Sequence, residues 1–561
     1  MPRILRVDMA RLAAGYEELP EEYRLLGGRA LAAEIINREV PPRCHPLGPE
    51  NKLVLAAGLL GGTAVTTSGR VSIGAKSPLT GGIKESNVGG QLGHKLLRLD
   101  VQAVVVEGAP ADGGLYVLHV DKDGARLEPA GALAGLGNYE AHARLLGGPA
   151  RERCAVTTGP AGEHRLAAAS IAVSDPEGRP TRHAARGGLG AVMAAKGLKA
   201  VLVDDSGTAP LKGAQPEGFR AETTAFSRVV LEDPRTKNLS RYGTAGVVRF
   251  VNREDVQSLP TRNHRRGRWD GAEALGGVAI AEAAAERGHK MLPCMAGCII
   301  KCAILYQGPD REHVTTALEF ETIALLGSNL EIGDIDAVAR LDRLCDDIGL
   351  DTMEVGNAVG VAMEAGVLPW GDWARVAAAL EEIRRGTPLG RILGNGTVFT
   401  ARAFGVDRVP AVKGQGLPAW EPRTLKGMGI TYATSPQGAD HTAGMVTARG
   451  VTESTLLQQA RHEQILMAAL DSVGLCQFSN PVEADLAKLL STRYGVRFTE
   501  EDVLNLGRRC LKTEREFNLR AGFTPEDDRL PAFLYTEPLP LPDGPAVFDL
   551  PDELLARFWD F

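Results

Sequence analysis

The chain has 561 residues, several times the size of a typical domain, so roughly three or four core-sized units are expected. Hydrophobic residues at 44% and charged residues at 24% are ordinary globular usage, which excludes a disordered or collagen-like chain. A formal net charge of −7, from 63 basic against 70 acidic residues, offers no global cationic field to nucleic acid.

Glycine is the outlier, with 66 of the 561 residues, against roughly 7% in average proteins. Without a Gly-x-y period, such a surplus points to backbone brought close to a ligand. Charges within Met1–Asp8 interrupt the apolar stretch a signal peptide needs, and no apolar run approaches the length of a membrane span. The expected location is the cytoplasm. Eight cysteines are too few for a disulfide scaffold in so long a chain. Three of them fall close together, which in a reducing compartment reads as a metal site.

In chain order, residues 1–208 read as a β-rich domain. The runs 53–57, 70–76, 102–107, 115–120 and 199–203 are short, rich in β-branched residues and bounded by Gly, Pro, Asp and Ser. Glycine-dense loops are expected at 86–90 and 186–190. From 209 to 415 the pattern turns helical: Ile335, Val338, Leu341, Leu344, Cys345 and Ile348 form one apolar stripe. A second helix is expected at 373–385. After a glycine-rich connection at 413–418, a third region, 416–561, carries a helix at 452–470 and a proline-rich tail. The fold class is α+β, a β-rich first domain followed by two mainly helical ones.

One internal repeat stands out. Asp346-Asp-Ile-Gly-Leu-Asp351 and Asp471-Ser-Val-Gly-Leu-Cys476 share the form Asp-x-x-Gly-Leu-(Asp/Cys), each after an amphipathic helix. The glycine suits a left-handed C-cap. An acidic group there opposes the helix dipole at a cost of about 0.3–1 kcal/mol unless a donor compensates it. One copy alone reads as a helix stop. Two copies with the same acidic placement point to two similar polar ligands.

Cys294, Cys298 and Cys302 place three thiols at i, i+4 and i+8. Thiolates select zinc or iron–sulfur clusters, and a [4Fe–4S] cube takes four of them. Cys476, at the end of the second turn, is the candidate fourth ligand; His289 is the nearest fourth ligand for a zinc alternative. S-adenosylmethionine radical chemistry needs a different spacing. Cys44, Cys154, Cys345 and Cys510 read as inert. Gly188-Leu-Gly190 begins a dinucleotide-binding pattern, but Met193 stands at its third glycine.

Assembled, these features resemble the aldehyde:ferredoxin oxidoreductase family of tungsten or molybdenum bis-pterin enzymes. The resemblance rests on residues 4–8, 49–53, 68–70, 76–82, 86–87, 186–192, 319–322, 326–329, the paired turns and Gly438-Ala-Asp-His441. It implies oxidation of an aldehyde to its acid, or the reverse. Electrons would pass through a [4Fe–4S] cluster on Cys294, Cys298, Cys302 and Cys476 to ferredoxin or a partner subunit. It further implies Glu321 and His441 as the catalytic pair, with Glu319 the competitor if the register slips. Arg70, Asn87, Arg186 and Gly187 match positions at the cofactor's phosphates and pterin edges. Asp346, Asp351, Asp471 and Leu475 lie in the turns that hydrogen-bond two pterins, whose N–H groups are the donors those carboxylates lack. A Mg2+ bridging the pterin phosphates and a homodimer belong to the same picture.

There are two departures. The family's cysteine spacing is two then three intervening residues, here three then three. Where some members carry Glu-x-x-His, this chain has Arg340-Leu-Asp-Arg343, so no intersubunit iron is expected. Three alternatives remain: a same-family reductase subunit for an acyl-CoA or aromatic substrate, a nicotinamide dehydrogenase, and a non-catalytic iron–sulfur electron-transfer or assembly protein.

Overall fold

The N-terminal strands form two sheets of six. In the computed structural model, which describes residues 2–147 and 152–561, the first sheet comprises β1 (Arg3–Asp8), β2 (Ala13–Glu18), β3 (Leu53–Ala57), β4 (Val71–Lys76), β5 (Ile83–Val88) and β6 (Val101–Glu107). The second comprises β7 (Tyr116–Asp121), β8 (Gly124–Pro129), β9 (Arg153–Thr158), β10 (Ile171–Val173), β11 (Arg182–Ala184) and β12 (Leu198–Asp204). Their orders are β2-β1-β6-β3-β4-β5 and, read from its other edge, β8-β7-β12-β9-β10-β11.

The wiring is identical. In each sheet the first strand pairs in parallel with the last, and every other contact is antiparallel. The return strand is entered through a short helix, Leu92–Arg98 or Leu189–Ala195, and then a left-handed residue, Asp100 (φ 59°) or Gly197 (φ 77°). The domain is a structural duplication.

The expected strands are all present. β3 and β4 are buried along their whole length, which explains their near-continuous apolar runs. The loop expected at 86–90 is shorter than that, since Ser86–Val88 complete β5 with Asn87 opposite Ser72. Within the helical second region lies a further sheet of three strands, Lys290–Leu292, Ala303–Gln307 and His313–Thr316, which frames the cysteine loop.

The helices Ile335–Ile348 and Trp373–Arg385 have the expected bounds, and a third, Glu453–Val473, runs three residues beyond the expectation. Val338, Leu341, Cys345 and Ile348 are fully buried, so the stripe is a core face. Among the described residues no helix is long and apolar enough to cross a membrane.

Candidate functional site

Each Asp-x-x-Gly-Leu turn ends its helix on a left-handed glycine, Gly349 (φ 80°) or Gly474 (φ 82°), as the repeat predicts. Each then docks on the same place in one half of the duplicated domain. At the second turn, a Cβ on Gly58, just after β3, would overlap the backbone of Gly474. Arg70 N donates to Gly474 O (3.2 Å), Ser68 bridges Leu475, and Cys476 N donates to Thr67 O (3.1 Å). At the first turn, a Cβ on Gly349 would lie 3.0 Å from the amide of Gly159, just after β9. Ser170 N donates to Gly349 O (2.9 Å), Ala169 bridges Leu350, and Asp351 N donates to Ala168 O (2.9 Å).

Between the turns lies a cavity of about 390 Å3. Of the residues singled out in the sequence, it brings together Arg70, Asn87, Asp346, Asp471, Glu321, His441, Cys294, Cys302 and Cys476. Glu319 lines it too. Arg70 Nε donates to the side chain of Asn87, whose amide donates to Ser72 Oγ (3.2 Å).

Asp351, Arg186 and Gly187 stand elsewhere. Arg186 is buried, and its guanidinium donates to Asp351 Oδ2 (3.1 Å), Ala439 O (2.5 Å) and Gly416 O (2.7 Å). The other oxygen of Asp351 accepts from Met353 N (2.9 Å) and caps the helix Thr352–Glu364. The chain thus supplies one donor to each oxygen of this carboxylate. Gly187 (φ 83°) is a close-approach residue: a Cβ there would overlap Lys84, and its carbonyl accepts from Ser77 Oγ (2.7 Å).

His183 was missed by the sequence reading. It lies opposite Ala172 on β11, as Asn87 lies opposite Ser72 on β5, so the two are counterparts in the duplicated halves. Its Nε2 is 3.1 Å from Asp346 Oδ1. Arg182 beside it also lines the cavity and lies 3.7 Å from Glu319. Asp471 faces the buried Arg29 (3.4 Å), which is held bidentately by Glu514 at 2.8 and 2.9 Å.

Each turn carboxylate has a proton-holding neighbour. Burial, then the charge of Asp471, pushes Glu85 up to about 8, and its Oε1 has no partner. Burial, then Asp346, raises Asp342 well above the usual carboxylate range.

Glu321 opens the helix Phe320–Leu325. Its Oε2 accepts from Ala419 N (2.7 Å) and its Oε1 from Trp420 Nε1 (2.9 Å). His441 Nε2 lies 3.4 Å from the same Oε1, while its buried Nδ1 has no partner. Edge-to-face packing of Phe320 on Trp420, with centroids 5.4 Å apart, fixes the indole. Glu319 stands at the N-cap position of this helix without a side-chain capping bond and accepts from Thr244 Oγ1 (2.6 Å). Burial opposes ionisation of Asp440, but Lys84 (2.7 Å), Arg186 and His441 outweigh it and hold the carboxyl far below its ordinary value.

The cysteine loop leans on the first sheet. Gly90 N donates to Cys294 O (3.1 Å), and Thr66 Oγ1 to Gly297 O (2.9 Å). All four expected ligands are buried and unbridged. A hydrogen bond from Cys298 draws Cys294 down to about 6 against burial, with Arg182 and Arg70 assisting, while burial raises Cys476 to about 11.

Among the described residues no group of three His, Cys, Asp or Glu converges as a single ion requires. His289, the zinc alternative, is engaged by Gln307 O (2.9 Å) and the Tyr306 ring (4.5 Å). Four buried thiols sharing one electrostatic neighbourhood, with two arginines beside them, fit a larger sulfide cluster.

Comparison with known proteins agrees with this geometry. Residues 4–205 match the family model "Aldehyde ferredoxin oxidoreductase, N-terminal domain", and residues 222–561 match "Aldehyde ferredoxin oxidoreductase, domains 2 & 3". Tungsten-containing aldehyde ferredoxin oxidoreductases of Pyrococcus furiosus and Thermococcus kodakarensis are each 32% identical, over 97% of this chain and 92% of theirs. An aliphatic sulfonate oxidoreductase, WOR-like subunit, of Pyrococcus furiosus is 28% identical over 98% of this chain and 91% of its own. The fold is that of the active-site complex BamBC of benzoyl coenzyme A reductase with 1,5-dienoyl-CoA, with a TM-score of 0.81 at 22% identity, covering 94% of this chain and 90% of that one. Matched by both domain models along nearly its whole length, the chain belongs to the aldehyde ferredoxin oxidoreductase family.

Proposed function

We propose that the chain oxidises an aldehyde to a carboxylic acid, or catalyses the reverse. The balance is RCHO + H2O → RCOOH + 2 H+ + 2 e−, with the electrons leaving singly for a ferredoxin or an electron-transfer subunit. The observation that carries this reading is one cavity lined by both the Glu321–His441 pair and three of four clustered thiols.

Cys294, Cys298, Cys302 and Cys476 would hold a [4Fe–4S] cluster. Arg70, Asn87, His183, Asp346 and Asp471 would hold a bis-pterin tungsten or molybdenum group, with Mg2+ between its phosphates. The carboxyls of Asp342, Asp346 and Asp471 on the cavity wall are the polar surface such a group needs. When bound, the group supplies a two-electron acceptor that no side chain can provide.

The chain's own residues manage the proton. Glu321, fixed by two N–H donors, orients the imidazole through Nε2. Together the carboxylate and the imidazole would take the proton released by water or the aldehyde hydrate. Phe320, Trp420 and Met445 form an apolar wall that excludes bulk water.

The likeness to benzoyl-CoA reductase is one of fold, at 22% identity, and no residue here singles out an acyl-CoA. The reading includes a cytoplasmic homodimer. Elemental analysis with electron paramagnetic resonance on anaerobically purified protein tests it. The expected result is iron together with tungsten or molybdenum, and reduction of a viologen dye by an aldehyde panel. Iron alone with no dye reduction overturns it.

A further inference from the structure

We propose that the surface over the cysteine loop is the docking site of an anionic electron-carrier protein, with Lys237, Arg241 and Lys301 as its cationic collar. This rests on the reading above, in which electrons leave through the four-cysteine site.

The tip of the loop, Ala296 and Gly297, is exposed, whereas the four thiols beneath it are buried. The helix Pro234–Tyr242 lies against the loop, with Ser240 Oγ donating to Ile300 O (2.6 Å). That helix buries Thr236 and Leu239. At about 100° per residue, Lys237 and Arg241 lie about 60° and 100° to one side of Ser240, opposite the buried Thr236 and Leu239, and both are exposed. Lys301 follows Ile300, is exposed, and sits in the left-handed region (φ 54°). Cations therefore rise from two adjoining segments at the same place.

Their lack of partners is the second observation. Arg235, on the same helix, is closed by Asp233 (2.7 Å). Among the described residues Lys237, Arg241 and Lys301 make no ion pair; Arg241 rests only on the ring of Tyr242 (4.9 Å). A positive patch on a chain of net charge −7 is local, and it lies beside the loop through which electrons would leave. The turn Gln477–Ser479, which follows Cys476, touches this helix, and Val482 just beyond it is 54% exposed. An apolar centre with a charged rim is the anatomy of a transient interface. Complementary charge raises encounter rates by 10–10³ and is screened by salt, which suits a carrier that must bind and leave at every turnover.

The test is the double variant Lys237→Glu/Arg241→Glu in the metal-loaded enzyme. Aldehyde oxidation is followed side by side with benzyl viologen and with a purified acidic bacterial ferredoxin. At low salt, the ferredoxin-linked kcat/KM should fall about tenfold and approach wild type as salt rises, while the dye-linked rate holds. Lys237→Gln, at the same exposed site, gives a smaller loss in the same direction if the double variant folds poorly. Three results would overturn the proposal: an unchanged ferredoxin-linked rate, an equal fall in both rates, or the same loss in Lys122→Glu on the distant β7–β8 hairpin. Absence of dye reduction by the wild-type enzyme would sink the proposed function instead.

Discussion

Replacing Glu321 by glutamine changes one atom and removes what the pocket is built around. The carboxylate accepts Ala419 N–H at 2.7 Å and Trp420 Nε1–H at 2.9 Å, one on each oxygen. A glutamine offers one acceptor oxygen and one NH2, so in either rotamer one of those buried donors faces another donor. A lost hydrogen bond to a charged group is worth about 1.5–3 kcal/mol, and the stranded donor adds about 1–3 kcal/mol. His441 also loses the anion 3.4 Å from Nε2, and with it the preference for carrying its proton there. A mispositioning of about 3–4 kcal/mol is worth about 10²–10³ in rate, inside the roughly 10²–10⁴ range of general acid–base catalysis. We expect kcat for dye-linked aldehyde oxidation to fall by that much, with metal content and circular dichroism unchanged. A Glu321→Gln enzyme that is fully metal-loaded and within about threefold of wild type would refute the assignment. Glu319→Gln is the internal control, since Glu319 does not touch His441.

The remaining predictions concern the frame, the buried acids and the thiols. Gly58→Ala drives a Cβ into the backbone of Gly474 and should cost several kcal/mol, read as a lowered Tm with loss of heavy metal; a wild-type Tm would show that the turn does not need this contact. Glu85 keeps its proton up to about pH 8 when folded but ionises near its ordinary 4.5 when unfolded. The native state thus binds more protons in that window, so the stabilisation present below about pH 4.5 is lost as pH rises toward 8. Wild-type Tm should drop between about pH 4.5 and 8, and Glu85→Gln should flatten the drop; equal slopes would refute it. Cys298→Ser should lose iron and the paramagnetic cluster signal, whereas Cys345→Ser, equally buried but on the core stripe of Ile335–Ile348, should keep both; full iron in Cys298→Ser would remove it from the ligand set.

What could be read from the sequence was set by local physics. β3, β4 and β6 are apolar runs between turn residues, the stripe from Ile335 to Ile348 has one period, and a glycine after each helix has one conformational reason to be there. β9, with sequence RCAVTT, and β10, three residues long, carry too little pattern to be seen. Arg186 shows the other limit. Arginine beside paired glycines suits a phosphate on chemical grounds. What decides its fate is Asp351, 165 residues away, together with the carbonyls of Gly416 and Ala439. His183 was hidden for a related reason, because its meaning comes from facing Asp346 across the fold.

The duplicated frame explains why two matching turns serve different ends. Cys476 and Asp351 close the same motif, and each donates its backbone N–H to the matching loop of its own half, at Thr67 O and Ala168 O. Backbone geometry is therefore shared, while the side chain at the last position changes from carboxylate to thiol. A thiol there joins the cysteines of a loop that leans on the first sheet through Gly90 and Thr66. A carboxylate there finds Arg186 and the N-terminus of the next helix, which it caps. The frame thus places two matching carboxylates on one cavity, Asp346 beside His183 and Asp471 beside the buried Arg29. Sulfur for oxygen at this position, and Asn87 against His183 on the facing strands, make the two halves chemically unlike. Paired carboxylates suit a near-symmetric ligand, and under the proposed function the thiol-bearing end is the side by which electrons would depart.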